Sequence, residues 1–131
     1  DFNHDDLYFG HQNSKAFLNQ EQISVSDYSE KSQSTLVTGI PAKTNYSDDE
    51  FKNMIDDFQH WKKVRMIGSA AMAAIYVAAG KAETYKENGI FLWDIAAGAA
   101  IVNAAGGIAS ITNIQADHRV DAKFTNQHLA F

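Results

Sequence analysis

The chain predicts a layered α/β sandwich, with helices packed on a mixed sheet. Two observations carry this. From Thr35 onward, β-branched and apolar runs alternate with segments of helical periodicity. The 131 residues, 45% of them hydrophobic, suffice for one domain with a real core. No internal repeat or linker divides residues 1–131.

In chain order, segments 7–10, 16–19 and 22–26 read as short strands, the last two joined as a hairpin by Asn19-Gln20-Glu21. Residues 26–33 are polar and read as a loop. The β-branched run 35–40 predicts a buried strand. Ser47-Asp48-Asp49-Glu50 is a capping box that opens a helix. Phe51, Met54, Ile55, Phe58 and Trp61 then share one face, and Asp48, Asp49, Asp56 and Asp57 suit a solvated acidic side. Segment 63–67 reads as the next strand and 68–80 as a helix of very small side chains. A strand over 81–86 and a helix over 93–105 follow, the helix stopped by Gly106-Gly107. Segments 108–111 and 120–124 complete the strands.

Composition excludes several classes. The net charge is -5 and no basic stripe exists, so nucleic acid is not an expected partner. The longest apolar stretch, 70–79, is too short to span a bilayer, and the acidic start, 1–6, is not a signal peptide. The absence of cysteine removes disulfides and thiolate metal sites and suits a cytoplasmic protein. Asn45-Tyr46-Ser47 is then a chance sequon. Histidines 4, 11, 60, 118 and 128 show no metal-ligand spacing. Gly80-Lys81 is followed by Ala82 and lacks the upstream glycine of a phosphate loop, and no G-x-S-x-G occurs.

The informative stretch is 67–107. Gly68-Ser69-Ala70 opens a helix whose first N–H groups and dipole favour anions, although Ser69 has an ordinary role as N-cap. Asp94 stands at the start of the next helix, where a carboxylate either caps the helix or binds a hard cation through oxygen. Glu87, at the end of a strand, reads as a surface residue or as part of the same cleft.

Trp93-Asp94-Ile95-Ala96-Ala97-Gly98, followed by Ile101-Val102 and Ala104-Ala105-Gly106-Gly107, resembles the second signature of the inositol monophosphatase family. Gly68-Ser69-Ala70-Ala71 with Val77-Ala78-Ala79-Gly80 resembles its preceding helix, and Thr38-Gly39-Ile40-Pro41 its "TGFP" strand end. Lys15-Ala16-Phe17-Leu18-Asn19 resembles its "GAFxNG" hairpin, with Lys15 and Gln20 in place of the glycines.

The resemblance implies the C-terminal domain of a layered αβαβα fold and a phosphoric monoester hydrolase. The implied cofactor is Mg²⁺, with Asp94 as its ligand from this half. Glu87 would hold a substrate hydroxyl, and Gly68, Ser69 and Ala70 would line the pocket of a sugar or inositol phosphate. A homodimer is also implied. The family's acidic first signature, "DPxDGT", is absent from these residues, whose only proline is Pro41. The expectation is therefore that the N-terminal metal-binding domain is missing from this chain and that the chain alone is inactive. A fructose-1,6-bisphosphatase-like enzyme or nucleotide 3′-phosphatase of the same superfamily is the alternative within the chemistry. A non-catalytic interaction module that kept the fold is the alternative outside it.

Overall fold

The computed structural model describes residues 1–11 and 13–129. Its elements in chain order are β1 (Tyr8–Phe9), β2 (Ala16–Leu18), β3 (Glu21–Ile23), β4 (Thr35–Thr38), α1 (Asp48–Phe58) and β5 (Lys63–Met66). Then come α2 (Ala70–Ala78), β6 (Thr84–Phe91), α3 (Leu92–Ala104), β7 (Ile108–Thr112) and β8 (Arg119–Thr125). The main sheet has five strands in the order β5-β4-β6-β8-β7. Parallel pairs join β4 to β5 and β6, and antiparallel pairs join β8 to β6 and β7. The mixed α/β sandwich expected from the sequence is therefore present.

Alternation along β4 shows how the layers form. Leu36 packs with Trp61, Leu129, Phe58 and Val64 on the α1 side, whereas Val37 joins the larger core formed with α2 and α3. The step from β4 to β5 and the step from β5 to β6 run in opposite directions across the sheet. Right-handed crossovers then require α1 and α2 on opposite faces. The carboxyl end of β4 becomes a topological switch point, where open α/β sheets leave a crevice.

Small side chains set the helix packing. A β-carbon on Gly98 would stand 2.5 Å from Ala74 Cβ, so α2 and α3 touch almost backbone to backbone. Strands β1, β2 and β3 form a separate antiparallel sheet, with Phe9 stacked on Phe17 at 5.2 Å. Val25 N–H donates to Ala105 O at 3.1 Å and fastens the segment after β3 to the end of α3.

Several boundaries differ from expectation. The strand placed at 81–86 is β6, Thr84–Phe91. Residues 81 and 82 instead turn off α2, both N–H groups donating to Tyr76 O. Asn88-Gly89 is a bulge inside the strand, with the register shifting between Asn88 and Ile90. Gly89 takes φ +75°, donates to Asp121 Oδ1 at 3.0 Å and accepts from Arg119 Nη1 at 2.7 Å. Glu87 consequently lies within a strand rather than at its end.

The polar segment 26–33 contains a short 3₁₀ turn, Lys31–Gln33. It is tied down by buried Glu83, which accepts from Thr35 N–H at 2.6 Å and Ser26 Oγ at 3.1 Å. The capping box forms as expected, with Ser47 N–H donating to Glu50 Oε2 at 2.7 Å. The helix ends at Phe58, and Trp61 reaches the core from the turn beyond it. Asp57 leaves the acidic solvated side and accepts from Lys31 Nζ at 2.6 Å.

Candidate functional site

A cleft of about 560 Å³ occupies the crevice at the carboxyl end of β4. It brings together Gly68, Ser69, Ala70, Glu87 and Asp94. Thr38, Gly39, Pro41 and Trp93 also line it.

The start of α2 supplies the first group. Ser69 is the N-cap, its Oγ accepting from Met72 N–H at 3.3 Å. Its ordinary role is therefore real, and it still borders the cleft. A β-carbon on Gly68 would meet nothing within 4 Å, so this position opens onto free space. Asp94 is exposed and is the third residue of α3, whose N-cap is Phe91 without a side-chain capping bond. Its reading as a helix cap is thus corrected: β6 runs directly into α3 and moves the cap three residues earlier.

Glu87 comes from the middle of β6 and is 8% exposed. Its Oε2 accepts from the Tyr85 hydroxyl at 3.0 Å. Two residues apart on a strand, these side chains share a face. On the neighbouring strand end, a β-carbon at Gly39 would stand 2.8 Å from both carboxylate oxygens. Burial pushes the Glu87 carboxyl above its ordinary range, the Tyr85 hydrogen bond opposes that, and the charge of Asp94 adds to it.

Two carboxylates thus face one cleft, one raising the proton affinity of the other. Such a site is short of positive charge, which a hard divalent cation would supply. Asp94, exposed and oxygen-bearing, fits that role. Among the described residues no group of three or more His, Asp or Glu is placed to hold a metal ion.

A smaller cavity of about 220 Å³ lies on the α1 side and shares Thr38, Gly39 and Glu87 with the cleft. Tyr46 lines it and donates to Asn88 O at 2.7 Å. Its hydroxyl is pushed up to about 12 by burial first, then by Glu87, Asp121 and Glu50.

Sequence reasoning missed Tyr85 and Gly39 as members of the site. Period-two spacing would have paired Tyr85 with Glu87 had the strand been carried past Lys86. Gly39 belonged to the "TGFP"-like strand end, which gave no sign of its contact with Glu87. Trp93, 62% exposed and stacked on Phe91 at 4.6 Å, forms part of the rim. Among the described residues, no histidine lines either cavity.

The sequence profile of the inositol monophosphatase family matches residues 2–127. Inositol monophosphatase 2 of Rattus norvegicus is 33% identical over 112 residues, covering 82% of this chain and 38% of its own. Nus factor SuhB of Pasteurella multocida is 38% identical over 94 residues, covering 71% of this chain and 35% of its own. The solved inositol monophosphatase of Anabaena (Nostoc) sp. PCC 7120 superposes with a TM-score of 0.83 at 33% identity, over 94% of this chain and 50% of that one. The chain spans less than half the length of these curated relatives. No helix among the described residues is long and apolar enough to cross a membrane.

Proposed function

Since the chain belongs to the inositol monophosphatase family, we propose that it is the C-terminal, substrate-facing half of a Mg²⁺-dependent phosphatase. The substrate is inositol 1-phosphate or a related sugar phosphate monoester. One observation carries this reading: Gly68, Ser69 and Ala70 at the entry to α2, Glu87 on β6 and Asp94 on α3 line a single cleft at the switch point of the sheet.

Each group has work suited to its chemistry. Asp94 presents a carboxylate to a cation at the start of α3. Such a cation supplies water activation and neutralises charge on the phosphoryl and leaving oxygens. Glu87, held on β6, accepts a hydrogen bond from a substrate hydroxyl. The start of α2 presents backbone N–H groups and the positive end of its dipole to an anionic substrate. The remaining metal ligands come from an N-terminal domain outside these residues, and the complete protein forms a homodimer.

The test is phosphate release from inositol 1-phosphate with Mg²⁺ by the protein containing both halves. Asp94→Asn should lower kcat far more than Glu87→Gln, because it removes charge from the metal site. An unchanged rate in Asp94→Asn would overturn the assignment.

A further inference from the structure

We propose that Tyr85 is a positioning residue that fixes which oxygen of Glu87 a substrate hydroxyl meets. The proposal rests on Glu87 as the residue that accepts that hydroxyl.

Tyr85 is fully buried in the centre of the sheet, its ring set edge-on against Phe124 at 5.5 Å and 66°. A phenol in such a core needs a partner for its proton. Tyr85 gives it to Glu87 Oε2 at 3.0 Å. Gly39 closes the other side, where the backbone leaves no room for even a β-carbon against the carboxylate. The Glu87 side chain is therefore held between a fixed donor and a bare backbone. Oε2 already accepts from Tyr85, while both lone pairs of Oε1 are open to a ligand in the cleft.

The hydrogen bond also governs what Glu87 can do. Burial, and Glu87 itself, push the Tyr85 hydroxyl above its ordinary range, so it stays a donor. A hydrogen bond to the carboxylate favours the charged form of Glu87 against its burial and the repulsion from Asp94. A charged Glu87 accepts hydroxyl protons, whereas a neutral one would present a donor of its own.

The experiment uses the protein containing both halves, with inositol 1-phosphate and phenyl phosphate, which has no hydroxyl, as paired substrates. Tyr85→Phe should raise KM for inositol 1-phosphate about tenfold, with kcat and both constants for phenyl phosphate little changed. Replacing Tyr85 by 3-fluorotyrosine keeps the hydroxyl donor in nearly the same shape, and should leave KM near the parent value. In Glu87→Gln, adding Tyr85→Phe should cost nothing further. A Tyr85→Phe enzyme with unchanged KM, beside a Glu87→Gln enzyme with raised KM, would overturn the positioning role alone. Equal weakening toward both substrates, or equal loss with fluorotyrosine, would also overturn it and return Tyr85 to packing. An unchanged inositol 1-phosphate KM in Glu87→Gln would overturn the reading of Glu87 and the proposal with it.

Discussion

Gly39, just past the end of β4, and Glu87 of β6 meet so closely that a β-carbon on Gly39 would lie 2.8 Å from each carboxylate oxygen. The glycine therefore shapes the cleft through the space it leaves for an acid on the next strand.

Gly39→Ala should displace Glu87 from its seat. Overpacking of this kind costs about 1–3 kcal/mol of stability. The complete enzyme should show a raised KM for inositol 1-phosphate and a smaller change for phenyl phosphate, measured beside a urea unfolding curve. A variant with parent stability and parent KM would show that the carboxylate moves freely.

The Ala74–Gly98 contact predicts a pure stability effect. Gly98→Ala places a β-carbon against Ala74 and should destabilise by about 1–3 kcal/mol, despite the better helix propensity of alanine. Adding Ala74→Gly should recover part of that loss by removing the opposing methyl. The urea midpoint of the single and double variants reads the outcome, and additive losses would contradict the close helix approach.

Asp57 gives a prediction in pH. Burial alone would raise its carboxyl, but the hydrogen bond and charge of Lys31, with Lys86 beyond, hold it below the ordinary range. A depressed carboxyl contributes stability that is present above its unfolded value of about 3.9 and is lost as pH falls through the folded value. The parent should therefore exceed Lys31→Met in stability at neutral pH, and the gap should close below about pH 4. A gap that widens on acidification would contradict the pairing.

Much of this architecture was legible because local signals and global fold agree. Ser47 and Glu50 form the capping box that their spacing announces, and Gly106-Gly107 ends α3 where expected. The helix over 68–80 needed only trimming, to Ala70–Ala78, and the helix over 93–105 lies one residue earlier, at Leu92–Ala104. The strand at 81–86 was misplaced because Asn88-Gly89 has turn chemistry in sequence, while cross-strand bonds to Asp121 and Arg119 make it a bulge. That one shift hid Glu87 within β6 and concealed its partnership with Tyr85. Gly39 was hidden for another reason: its closeness to Glu87 spans 48 positions in the chain and depends on the parallel pairing of β4 with β6. The resemblance drew attention to Asp94 and Glu87, whereas the seat of Glu87 depends on the true extent of β6 and on its pairing with β4.

We propose that this chain carries the substrate-facing wall and one metal ligand, Asp94, of a site completed by another domain. Mg²⁺ is six-coordinate and releases its waters reluctantly, so a single protein carboxylate holds it weakly. The direct measurement is phosphate release from inositol 1-phosphate with Mg²⁺ by the 131-residue chain alone, and by the same sequence within the protein containing both halves. The chain alone should give no detectable turnover, and clear turnover should appear once the other half is present. Robust turnover by the chain alone would contradict the proposal.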